Sequence, residues 1–138
     1  MANEFARNLK DAGFTTTFTL PASASSSTNQ TTPFDFGADT YKPENVEIEL
    51  AVPALTDTMV PNTRTVTYII ETCTATNFST IDQTLYSEVF TGAGSGIAAK
   101  TKRVRLPSPC ARYVRGKVTL GASTTDSSAI SATVSALY

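Results

Sequence analysis

The chain has 138 residues, 41% of them hydrophobic and 17% charged, with 2 Cys, no Trp and no His. That length suits one hydrophobic core rather than two, and a formal net charge of −1 gives no overall attraction to nucleic acid or an anionic membrane. The missing histidine removes the commonest general base and metal ligand, and with them the Ser-His-Asp style of triad. No catalytic residue, cofactor or metal site is therefore expected, and residues 1–138 are read as one domain.

Residues 3 to 13 place Phe5, Leu9 and Ala12 at helical spacing before Gly13, which predicts a short N-terminal helix or arm over 1–13. So short a helix is marginal in water unless its apolar face docks, either on its own domain or on a neighbouring subunit. Nothing at this end has the apolar run of a signal peptide or a membrane span, so synthesis and folding in a reducing cytoplasm are expected. Phe14, Thr16, Phe18 and Leu20 then alternate with Thr15, Thr17 and Thr19 up to Pro21. Residues 21–32, mostly Ala, Ser, Thr and Asn, have nothing to bury and read as a flexible loop.

Phe34-Asp35-Phe36 opens a short strand, and Val46, Ile48, Leu50 and Val52 alternate with Glu47 and Glu49 as a strand buried on one side. The run from Arg64 to Thr76 is dominated by β-branched and aromatic residues, apolar on both parities in its middle, and belongs at the centre of a sheet. Further strands are expected over 85–90, 97–106, 111–120, with Gly116 as a bend or bulge, and 130–138. Gly92-Ala93-Gly94-Ser95-Gly96 ahead of Lys100 fails as a phosphate-binding loop, because Ala99 precedes the lysine and no helix follows; a flexible hairpin loop is expected. Cys73 and Cys110 set no disulfide framework, and whether they pair is left open.

About eight strands without helical periods between them predict an all-β, antiparallel two-sheet sandwich, a jelly roll of about eight strands. An immunoglobulin-like sandwich fits less well, since Trp is absent and the two cysteines stand too close in sequence. Charge is segregated along the chain. Asp35, Asp39, Glu44, Glu47, Glu49 and Asp57 form an acidic stretch; Lys100, Lys102, Arg103, Arg105, Arg112, Arg115 and Lys117 form a basic one. These are either solvated strand faces or complementary surfaces that meet between subunits or on a partner. Only Tyr113 lies among the cations as a stacking aromatic, so nucleic acid is not expected.

The Met1 to Phe14 arm, the Ala22 to Thr32 segment, the strand series from Phe34 to Tyr138 and the lack of a catalytic constellation together resemble the jelly-roll capsid cement, or decoration, proteins of short-tailed bacteriophages. The resemblance implies a virion protein on the capsid surface that binds the major capsid protein at subunit junctions and stiffens the shell. It also implies a homo-oligomer, a dimer in preference to a trimer. On that reading the partner contacts fall on Phe5 and Leu9 of the arm and on a basic face of Arg103, Arg105, Arg115 and Lys117. The alternative is a carbohydrate- or receptor-binding module of a phage tail or adhesin, using Tyr41 or Tyr86 as a platform. A hydrolase on the same scaffold needs carboxylates converging around Asp82 or Glu88.

Overall fold

The computed structural model describes residues 10–22, 28–38, 46–121 and 126–138. Among these, nine strands form: β1 Lys10–Thr19, β2 Thr28–Gln30, β3 Phe34–Asp35, β4 Glu47–Val52, β5 Thr65–Cys73, β6 Gln83–Thr91, β7 Lys100–Arg105, β8 Tyr113–Leu120 and β9 Ser131–Leu137. One sheet has the order β1-β9-β4-β7; the other has β2-β8-β5-β6, with β3 also on β8. All pairings are antiparallel.

β2 pairs with Lys117 to Thr119 and β3 with Tyr113 and Val114, so the two short strands share one edge position beside β8. Counted that way, eight strand positions pass from sheet to sheet, except for the β5–β6 hairpin within one sheet, in the winding of a jelly roll. β5, the strand expected at a sheet centre, lies between β8 and β6.

Alternation decides which side chains fill the space between the sheets. Ile48, Leu50 and Val52 of β4 face Val66, Tyr68 and Ile70 of β5, Val114, Val118 and Leu120 of β8, and Ala132, Val134 and Ala136 of β9; all are buried. Gly116 faces the other sheet with no room for a side chain. A Cβ there would lie 2.3 Å from Val134 Cγ2 and 3.5 Å from Leu50 Cδ1. Its pairing with Ile70 runs in continuous register, so the expected bulge at Gly116 is absent, and the irregularity falls instead in β5 against β6, between Ile70 and Glu71.

Three other expectations are corrected. A helix over 3–13 fails at its C-terminal end, because β1 starts at Lys10 and pairs with Leu137 of β9; residues 1–9 lie outside the described residues. Gly13 sits within that strand, between the paired positions Lys10 and Thr15 where the register shifts. A weak helical spacing loses to the backbone hydrogen bonds that the edge of β9 offers.

The loop over 21–32 is likewise interrupted by β2, and its residues 23–27 lie outside the described residues. Polar residues need no apolar face here: Thr28 and Thr119 hydroxyls lie 2.8 Å apart, Asn29 Nδ2 donates to the Thr19 carbonyl at 2.9 Å, and Gly116 N–H donates to Thr31 Oγ1 at 3.1 Å. Finally, the glycine-rich segment is not a hairpin, since it joins β6 of one sheet to β7 of the other. Gly92 is buried, and a Cβ on it would meet the Val60 carbonyl oxygen at 2.2 Å.

Candidate functional site

The sandwich turns the cations expected on one basic face toward two different sheets. Arg103 and Arg105 lie on β7, opposite Glu49 and Glu47 of β4. Arg103 Nε donates to Glu49 Oε2 at 2.7 Å; the arginine side chain is 47% exposed and the carboxylate only 4%. Arg105 is exposed and makes no ion pair among the described residues.

Arg115 and Lys117 lie on β8, on the outer face of the other sheet, and both bind Glu71 of β5. Arg115 Nε donates to Glu71 Oε1 at 2.7 Å and Lys117 Nζ to Oε2 at 3.1 Å. The Phe78 ring covers the guanidinium, 4.1 Å from its central carbon to the ring centroid, and Arg115 is 8% exposed. Each oxygen of the buried carboxylate thus has a cationic partner, which buried ions require. Arg115 belongs to this buried cluster and not to an exposed face shared with Arg103 and Arg105.

Asp35 forms a two-point pair with Arg112, both distances 2.7 Å. Arg103–Glu49 and Arg112–Asp35 join the basic stretch to the acidic one within the chain, whereas Arg115 and Lys117 pair with Glu71, outside that acidic stretch. Of the arm residues, Phe5 and Leu9 lie outside the described residues.

The sandwich is open between its edge strands β6 and β7, where the sequence offered Tyr86 as a platform and Glu88 as a carboxylate but did not bring them together with Tyr68, Lys100 and Lys102. A cavity of about 140 Å³ there is lined by Leu50, Tyr68, Tyr86, Glu88, Phe90, Lys100, Thr101 and Lys102. Lys100 and Lys102 share the parity of Val104, not that of Arg103 and Arg105, and their stems cross the gap toward the other sheet. Their Nζ atoms lie 5.3 Å from the Phe90 ring centroid and 5.2 Å from that of Tyr86.

Tyr86 donates its hydroxyl hydrogen to Glu88 Oε2 at 2.6 Å, and burial together with that hydrogen bond pushes its phenol pKa up. Tyr68 stacks obliquely on Phe90, centroids 4.9 Å apart, and its buried hydroxyl has no hydrogen-bond partner. Burial raises its pKa to about 12, so it is a neutral donor at ordinary pH. The parity of Lys100, Lys102 and Val104 was the sequence signal for this site; the unbonded Tyr68 hydroxyl had none.

A second opening, about 410 Å³, lies beside β1 and β3 and is lined by Gly13, Phe14, Thr15, Thr16, Thr32, Pro33, Phe34 and Asp35. Phe14 stacks on Phe36 at 5.0 Å and meets Phe34 edge-on at 5.7 Å. Of the tyrosines considered as platforms, Tyr41 lies outside the described residues and the ring of Tyr86 is covered by Lys102.

Asp82 accepts from the Thr74 N–H and hydroxyl and lines a different cavity from Glu88, so these two carboxylates do not converge. Cys73 and Cys110 are both buried and are not joined by a disulfide; Cys73 Sγ donates to the Thr80 carbonyl at 2.9 Å. No helix among the described residues is long and apolar enough to cross a membrane.

No protein-family model matches the sequence, and no curated protein matches it. Among solved structures, the chain is similar to the PBSX exported protein XepA, a phage-related protein, at a TM-score of 0.53 and 15% identity. The alignment covers 91% of this chain and 37% of that one, so the chain spans little more than a third of that protein's length. At this identity, what the two share is the fold.

Proposed function

We propose that the chain is a structural virion protein that binds the major capsid protein at subunit junctions and stabilises the shell. The observation that carries this reading is β7: an edge strand with Arg105, Arg103, Lys102 and Lys100 exposed along it, of which only Arg103 makes an ion pair among the described residues. Exposed cations on an edge strand suit recognition of an acidic surface, where charge complementarity fixes register and partner choice. Repetition over a capsid lattice then lets modest contacts add up through avidity. Similarity of fold to a phage-related protein supports a phage context. The chain acts as a homo-oligomer, a dimer in preference to a trimer, and Phe5 and Leu9, outside the described residues, add apolar contacts to those of Arg103 and Arg105. Lys117 contributes from the outer face of the second sheet, on β8 between β2 and β5, and Arg115 holds that sheet together. Co-sedimentation with shells of the major capsid protein, repeated with Arg103→Glu/Arg105→Glu, tests it: unchanged binding of the variant at physiological salt removes the electrostatic contact.

The second reading is a carbohydrate- or receptor-binding module of a phage tail or adhesin. It is favoured by the opening beside β1 and β3, where phenylalanine rings adjoin threonine hydroxyls and the Asp35 carboxylate. Glycan-array binding at micromolar strength, without association with shells, selects it.

A further inference from the structure

The side of the sandwich between β6 and β7 sets Lys100 and Lys102 beside buried groups that shell binding does not use. The Tyr68 side chain is 2% exposed and its hydroxyl reaches no acceptor, although it lines a cavity. A buried O–H without a partner is costly, so the site gains when an acceptor enters. Leu50 and Phe90 give the same cavity an apolar wall. Lys100 and Lys102 stand at its rim with no ion pair among the described residues, and Glu88, held by the Tyr86 hydroxyl, is the one carboxylate there. Two ammonium groups against one carboxylate leave a surplus of one positive charge, enough for a monoanion and short of what a phosphate dianion needs.

We propose that this cavity binds a monocarboxylate with a short apolar body. The carboxylate accepts from the Tyr68 hydroxyl and is neutralised by Lys100 and Lys102, while the apolar part rests against Leu50 and Phe90. The carboxylate belongs either to a free small acid or to an Asp or Glu side chain of a docked protein. The site shares Lys100 and Lys102 with the shell-binding reading, but its first test involves no shell and so fails or succeeds apart from it.

That test is a titration of the ¹⁵N-labelled full chain with propionate and, separately, with the neutral propionamide. A ligand of so few atoms binds with a dissociation constant on the order of 1 mM, so titration to about 50 mM reaches saturation. The expected result is saturable shifts at the backbone amides of Glu88, Thr101 and Lys102, with propionamide about tenfold weaker. Tyr68→Phe and Lys102→Gln are each expected to weaken propionate about tenfold. Lys102 is exposed, so its variant keeps the test valid even where Tyr68→Phe disturbs packing. Absence of saturation, equal binding of propionamide, or unchanged affinity in Lys102→Gln overturns the proposal. With the site established, saturating propionate in the shell co-sedimentation separates the sources: release from shells assigns the carboxylate to a docked side chain, and undiminished binding assigns it to a free acid.

Discussion

Replacing Tyr68 by Phe isolates the energetic consequence of one oxygen atom. The ring keeps its place against Phe90 and the core, since only the hydroxyl is removed. Leaving a polar group buried and unsatisfied costs about 1–3 kcal/mol, and removing the group recovers part of it. Tyr68→Phe is therefore expected to raise stability by about 1 kcal/mol in a buffer free of carboxylates, a rise in Tm of roughly 4 °C for a domain of this size.

Alkaline pH supplies a second reading of the same group. Its folded pKa lies at about 12, above the ordinary 10.0, so the folded state holds the proton more tightly than the unfolded one. The wild-type protein keeps this contribution below pH 10 and loses it as the pH rises toward 12, by about 3 kcal/mol in all. The variant lacks that part of the loss. Urea denaturation at neutral pH and at about pH 11 measures both effects, with an unchanged slope as the control. A neutral-pH loss of more than about 0.5 kcal/mol refutes the reasoning, because it means the hydroxyl makes a good hydrogen bond in the folded protein.

Other outcomes follow from the same packing. Arg115→Ala leaves Glu71 buried with only Lys117 and uncovers the Phe78 ring; a loss of about 3 kcal/mol in urea denaturation is expected, far more than an exposed arginine gives. Gly116→Ala drives a methyl group into Val134 and costs about 2 kcal/mol, and the double variant with Val134→Ala restores most of it in a thermodynamic cycle. Gly96→Ala, at φ +75° with the Leu55 carbonyl oxygen 2.1 Å from the new Cβ, lowers Tm by several degrees, whereas Gly94→Ala, with open space around it, leaves Tm within about 2 °C.

Much of the architecture was written in period-two patterns. Val46, Ile48, Leu50 and Val52 alternate so strictly that β4 and its buried face follow from the residues alone, and the two-sided apolar middle of β5 marked a strand flanked on both edges. What escaped depends on partners far away in sequence. Thr28 to Gln30 has no apolar residue, and it becomes a strand because β8 offers it an edge. Gly116 looks like a chain break locally, and only the facing Val134 shows that it is a packing contact. The charged residues were misgrouped for a related reason. Linear clustering brought Arg103 and Arg115 together, but strand pairing sends one to Glu49 and the other to Glu71, on opposite sheets. Lys100 and Lys102 stood in the basic stretch, and their parity sets their ammonium groups over Phe90 and Tyr86 at the rim of the gap beside Tyr68.

Shell binding is tested most directly by equilibrium co-sedimentation of the full chain with shells of the major capsid protein over a range of salt concentrations. The account predicts saturable binding at a fixed number of copies per shell, weakened as salt screens the cations of β7 and weakened further by Arg103→Glu/Arg105→Glu. Failure to sediment with shells even at low salt, or binding indifferent to both salt and charge reversal, contradicts it.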